Sequence, residues 1–224
     1  MKLNKLLTIA FVGILSLSQA QEIQDSPPTE NTTSENSFIQ DSIQLDYKVK
    51  RFSIGLKLGV PNIASVGAQY TLPILNNHLA PYFEYSSYSH DDGETEGDLS
   101  FSEFGAAYYF NEKGKGLYLG VGVSSLKVKA TFNNVSLEGG RTGTGSGDIS
   151  LNTTNLKIGL KTGGTLYFRM ELGYGLGNLP KTVDFTAKDN ATSYTETVEE
   201  DIPAIPGISE SGLFIGNIGF GLSF

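Results

Sequence analysis

Residues 165–176, TLYFRMELGYGL, alternate without a break. Leu166, Phe168, Met170, Leu172, Tyr174 and Leu176 fall on one side, and Tyr167, Arg169, Glu171, Gly173 and Gly175 on the other. A period of two marks a β-strand, whose successive side chains point to opposite faces. An unbroken apolar face of this length, opposed by charge and glycine, exceeds what a half-buried strand of a small soluble domain needs. It suits a strand with lipid outside. Phe52, Ile54, Leu56, Leu58 and Val60 repeat the pattern against Ser53, Gly55, Lys57 and Gly59. So does the C-terminus, where Phe214, Ile218, Phe220, Leu222 and Phe224 alternate with Asn217, Gly219, Gly221 and Ser223. A tilted strand of about 9 to 11 residues crosses the hydrocarbon of a bilayer, and these segments meet that length.

Beyond residue 40 no stretch carries a 3.6-residue apolar period over helical length. Alternating segments are predicted at 51–60, 64–72, 80–89, 100–110, 116–132, 148–161, 165–176 and 211–224. With 27 glycines and no cysteine, the class is all-β, with neither disulfides nor a cysteine-based metal site available. The connections are informative too. Those after even-numbered strands are compact ("PILNNHL", "NEKGK", "TGG"), whereas those after odd-numbered strands include "HDDGETEGDL", "NNVSLEGGRTGTGSG" and residues 177–210. Only "PNI" breaks the alternation. Short turns on one side and long loops on the other, with both termini on the short side, predict a closed antiparallel up-and-down transmembrane β-barrel of about eight strands.

The first residues, MKLNKLLTIAFVGILSLSQAQE, place Lys2 and Lys5 before an apolar run that ends at Ser18-Gln19-Ala20. This predicts a secretory signal peptide over 1–20, its apolar run too short to span a membrane as a helix. Losing the two lysines takes the formal charge from −8 to −10. A chain this acidic is a poor binder of nucleic acid. Residues 21–50 are rich in Ser, Thr, Asn, Gln, Glu and Pro and predict a flexible tether, within which "IQLDYKV" is either an extra strand or the tether's end. The barrel domain is then 51–224.

A secretory signal, eight amphipathic strands, alternating connections and a last strand ending on Phe224 resemble the small outer-membrane β-barrels of the OmpA transmembrane-domain and OmpX type. The resemblance spans residues 51–224 and is most specific in the terminal strand. It implies residence in the outer membrane of a Gram-negative-type bacterium, with both termini periplasmic, and contact with outer-membrane lipids. It also implies recognition of Phe220, Leu222 and Phe224 by the barrel-assembly machinery. The short first loop, the tether and the lack of a peptidoglycan-binding domain after Phe224 depart from that pattern.

Turning every apolar face to lipid sends Lys57, Glu84, Glu103, Lys157, Arg169 and Glu171 inward. An eight-stranded barrel has room inside only for side chains, so three cations and three carboxylates predict a plugging ionic network. Tyr70, Tyr85, Tyr108, Phe110 and Tyr174 suit interfacial aromatic girdles. In the fifth strand apolar parity slips at Ser124-Ser125, which predicts either a β-bulge or a strand leaving the bilayer to continue as an outer hairpin. The acids Asp91, Asp92, Glu94, Glu96 and Asp98 lack the spacing of a calcium loop, and "GGRTGTGSG" lacks the Lys-Ser/Thr of a phosphate loop. The former reads as solvated charge and the latter as a flexible loop. His78 in a turn and His90 beside Ser89 do not make a nucleophile and an oriented base. The sequence therefore predicts a monomeric, cofactor-free, non-enzymatic barrel with a structural or surface-interaction role. A narrow porin-like channel is the alternative, and a lipid-modifying enzyme a lesser one.

Overall fold

The computed structural model describes residues 49–111, 113–137, 140–192, 194–201, 208–209 and 211–224. The predicted signal peptide and nearly all of the tether lie outside the described residues. Val49 and Lys50 precede the first strand without joining one.

The described residues form eleven strands: β1 (Phe52–Val60), β2 (Ile63–Tyr70), β3 (Leu79–Asp91), β4 (Thr95–Asn111), β5 (Lys115–Ser136), β6 (Thr142–Lys161), β7 (Leu166–Leu176), β8 (Thr182–Asp189), β9 (Thr195–Asp201), β10 (Ile208–Ser209) and β11 (Gly212–Ser223). Strands β1 to β7 pair in order, each antiparallel to the next, β7 pairs with β11, and β11 returns to β1 from Ser53↔Ser223 to Val60↔Gly216. The ring closes with eight strands. Each predicted segment lies on one of them, and closure removes the unpaired edges that an open sheet would leave.

The wall's outer side carries the apolar set. Leu56, Phe83, Phe104, Val123, Leu172 and Phe220 are all about half exposed, between 49% and 61%. The predicted girdle aromatics Tyr70, Tyr85, Tyr108, Phe110 and Tyr174 are on this side as well. Room inside comes from glycine. A Cβ on Gly122 would sit 2.7 Å from Glu103 Oε1, and one on Gly173 would sit 2.8 Å from Lys157 Cγ. Substituting either would push a charged side chain out of its place.

At the end away from the start of β1 and the finish of β11, the expected long loops are largely strand. β3 and β4 run on to a tight turn at residues 92–94, and β5 and β6 run on through most of "NNVSLEGGRTGTGSG". Residues 177–210 hold β8, which pairs with the outer part of β6, and β9, which pairs with β8. The glycine-rich stretch is a strand because the extended β5 offers it a partner. The only break in their pairing lies between Phe132 and Val135. A Cβ on Gly145 would collide with the Phe185 ring, and that ring lies 5.5 Å from Phe132. The glycines there are a flat seat for an aromatic side chain.

Of the two readings of Ser124-Ser125, the bulge is wrong. β4, β5 and β6 pair continuously through Glu103↔Ser124↔Thr153 and Phe101↔Leu126↔Leu151. β5 passes straight on as an outer hairpin, and its apolar residues move from the outside of the wall to the inside. Phe101, Leu126, Leu151, Leu213 and Ile215 bury together within the outer mouth, with Leu99, Val128 and Leu179 packed on them.

Candidate functional site

Below this apolar cap the inward face is polar. Lys57 comes from β1, Glu84 from β3, Glu103 from β4, Lys157 from β6, and Arg169 and Glu171 from β7. All six residues are 6% exposed or less and lie in one cluster. Lys57 Nζ bridges two carboxylates, donating to Glu84 Oε1 and, at 2.5 Å, to Glu171 Oε2. Lys157 Nζ lies 2.8 Å from Glu103 Oε1 as an ion pair whose angle makes no hydrogen bond, and 3.7 and 3.9 Å from Glu84 and Glu171. Arg169 Nη1 stands 3.8 Å from Glu171 Oε1. Opposite charges at such spacing, away from water, attract strongly enough to offset part of their desolvation.

The sequence reading missed the neutral half of the network. Tyr82 Oη donates to Glu103 at 2.6 Å, and Tyr118 Oη donates to Glu171. Gln69 Oε1 accepts from Arg169 Nη2, while Gln69 Nε2 donates to Tyr109 Oη at 2.9 Å. The signal was present, since Tyr82 shares parity with Glu84, and Tyr109 with Glu103. The cavity left among Ser53, Lys57, Gln69, Glu84, Tyr167 and Arg169 is about 10 Å³. That is room for about one water molecule.

A second omission is Lys161. It shares the parity of Lys157, is 3% exposed, donates to Ser53 Oγ at 2.8 Å, and lies 4.5 Å from the centre of the Tyr167 ring. The expected balance of three against three therefore becomes four cations against three carboxylates among the described interior residues.

Phe220, Leu222 and Phe224 stand on the outer face, with the Phe224 ring stacked 6.5 Å from Phe52 across the closing seam. The acids of the β3–β4 turn serve the backbone. Asp91 Oδ1 accepts from Gly93 N at 2.8 Å, and Asp92 Oδ1 from Thr95 N at 2.7 Å and Glu94 N at 3.1 Å. The amides of Thr95 and Glu94 hold the Asp92 carboxyl below the usual range. Asp189 is lowered in the same way by the Ala191 amide. Asp98 lies across the ladder from Lys129, so the acidic hairpin faces a basic strand. Ser89 Oγ donates to Asp98 Oδ1 at 2.6 Å. His90 sits exposed beside them, and His78 Nδ1 lies 2.5 Å from the Tyr109 carbonyl. Among the described residues no three His, Asp or Glu side chains group as metal ligands.

No protein-family model and no curated protein sequence matches the chain. The narrower likeness to the OmpA and OmpX type therefore has no family match behind it. Three solved structures are similar. CarO2 of Acinetobacter baumannii is 14% identical over 78% of this chain and 98% of that one, with a TM-score of 0.43. A major outer membrane protein from Thermus thermophilus is 11% identical over 78% and 98%, at 0.48. CarO of Acinetobacter baumannii is 12% identical over 77% and 97%, at 0.40. The barrel itself stands on the closed strand pairing of this chain.

Proposed function

We propose that the protein is a monomeric barrel of a Gram-negative-type outer membrane, closed to solutes, with a structural or surface-interaction role. The observation that carries this reading is the exchange of faces along single strands. On β5, Leu117, Leu119, Val121 and Val123 point out of the wall, and beyond Ser125 Leu126 and Phe132 point in while Lys127 and Lys129 point out. An outer surface that is apolar over one band and charged beyond it matches a medium that changes from lipid to water. The apolar band is far larger than the patches that soluble monomers expose.

The start of β1 and the end of β11 lie at the end with the short turns, which this reading assigns to the periplasm. The β3–β4 and β5–β6 hairpins with β8 and β9 then stand outside the cell. Lipids cover the belt, and the exposed Phe220, Leu222 and Phe224 at the seam suit handling by the assembly machinery. Two features support a closed lumen: the ionic network that spans it and the apolar cap above. A narrow channel is the competing reading, because a network of charges can also pass ions. No catalytic role is assigned, since Ser89 engages Asp98 and not His90.

The test begins with boiled and unboiled outer-membrane protein on an electrophoretic gel. The unboiled chain is expected to run as a faster, compact band, and loss of Phe224 to lower its yield. Planar-bilayer recording is expected to give no steady conductance. Regular unitary currents would replace the closed barrel with the channel, and a mature protein soluble without detergent would overturn both.

A further inference from the structure

We propose that the inner mouth of the barrel, at the end where β1 begins and β11 finishes, is an anion-binding site built around Lys161. The ligand is a single carboxylate or phosphate group. The charge of the interior is uneven. Lys57, Lys157 and Arg169 each stand within 4.0 Å of a carboxylate. Lys161, equally buried, has no carboxylate within that distance among the described residues: its amine meets the Ser53 hydroxyl and the Tyr167 ring, and its cross-strand partner is another cation, Arg169. A buried cation without a counter-charge is costly, and an arriving anion relieves that cost.

Lys161 is also the interior cation placed where an anion has access. It is the last residue of β6, and it borders a cavity of about 30 Å³ that Lys50, Lys113, Lys115, Thr162 and Ser223 also line. Lys50 Nζ already reaches into this mouth, 2.5 Å from Thr165 Oγ1 and 3.3 Å from the Ser223 carbonyl. The stem of Lys115 lies over Gly163, where a Cβ would come within 2.7 Å of its Cδ. The buried Lys161 amine at the floor, the Lys50 amine at the rim and the hydroxyl groups between them match an oxyanion, which accepts several charge-assisted hydrogen bonds at once. The apolar cap closes the opposite mouth, so the anion reaches this site only from the terminus side.

The test uses the folded protein in phosphatidylcholine nanodiscs with 15N-labelled lysines, titrated with inorganic phosphate and separately with acetate. The lysine amine signal that is missing from Lys161→Arg is expected to shift saturably, together with that of Lys50 at the rim, while the lysines of the outer hairpins do not move. By calorimetry, Lys161→Met is expected to weaken phosphate binding by about tenfold or more, and Lys161→Arg by less than about threefold, because losing a charge-assisted bond costs more than relocating it. Repetition in discs containing phosphatidylglycerol separates the sources. If the amine is already shifted there and phosphate adds nothing, a lipid headgroup fills the site; if phosphate still shifts it, the natural ligand is soluble. Either result keeps the site. Lysines that all shift together without saturation, or a Lys161→Met protein that binds as the wild type does, would overturn it. Should Lys161→Met fail to give the compact gel band, the wild-type amine signal decides alone.

Discussion

The barrel wall below Ser124 and the hairpins above it are built from the same strands with opposite rules. Below, glycine, tyrosine and paired charges face in, and leucine, valine and phenylalanine face out. Above, Phe101, Leu126, Leu151, Leu213 and Ile215 face in, and Lys127 and Lys129 face out. Hydrogen bonding is the same in both, since the ladder runs through the boundary in unbroken register. On the proposed reading what differs is the surrounding solvent, and with it the free energy of each face. A lipid-bathed wall gains nothing from an apolar interior, so its specificity falls to polar contacts. A water-bathed hairpin buries apolar side chains for its stability.

The largest expected effect separates the two interiors. Lys57→Met leaves Glu84 and Glu171 without their nearest cation and is expected to cost about 3–5 kcal/mol, read by urea unfolding of the compact gel band. Lys57→Met with Glu84→Gln is expected to recover part of that loss. In the hairpin zone, Leu151→Ala is expected to cost about 2–5 kcal/mol through the cavity it leaves. It is also expected to raise proteolysis of the hairpins while the wall stays protected. If Leu151→Ala instead loosens the whole barrel, the two zones form one cooperative unit.

Much of the wall was legible from the sequence because an apolar outer face and a charged inner face enforce a period of two. All eight ring strands and the six charged residues of the cluster could be placed from parity alone. Their partnerships could not. Lys57 meets Glu171 across 114 residues, which requires the register and the closure of β1 on β11. Tyr82 and Tyr118 were missed because a tyrosine on an inward face looks like filler until its hydroxyl is seen on a carboxylate. The hairpins were hidden for a different reason. Residues 142–147 alternate glycine with serine and threonine, so neither face is apolar and no period appears. The inversion did leave a trace in the parity slip at Ser124-Ser125, but parity alone does not tell an inserted residue from a change of solvent.

A surface charge tests the other half of the contrast. Met170 is 49% exposed on the outer face of β7, between Leu160 and Ile218 on its neighbours. Met170→Arg is expected to cost about 2–4 kcal/mol if that face meets the hydrocarbon. Lys127→Leu, on the same side of the wall but beyond the boundary, is expected to stay within about 0.5 kcal/mol. Equal costs at the two positions would remove the solvent change from the explanation.

The smallest effect concerns the β3–β4 turn. Asp92 accepts the amides of Thr95 and Glu94, and these hold its carboxyl below the usual range. A carboxyl lowered in the folded state stabilises the fold above its ordinary value of about 3.9, and that contribution disappears as pH falls through the lowered value. Hydrogen exchange at the Glu94 and Thr95 amides is therefore expected to be constant in its protection from neutral pH down to the usual carboxylate range, and to lose protection below it. Asp92→Asn keeps an oxygen acceptor without the charge, so its protection is expected to be lower at neutral pH and free of that acid step. The amides of Gly122 and Val123, inside the belt, are expected to keep their protection throughout. Acid release that spread from the turn to those residues would show that the hairpin holds the wall together, and the two zones would no longer be separable.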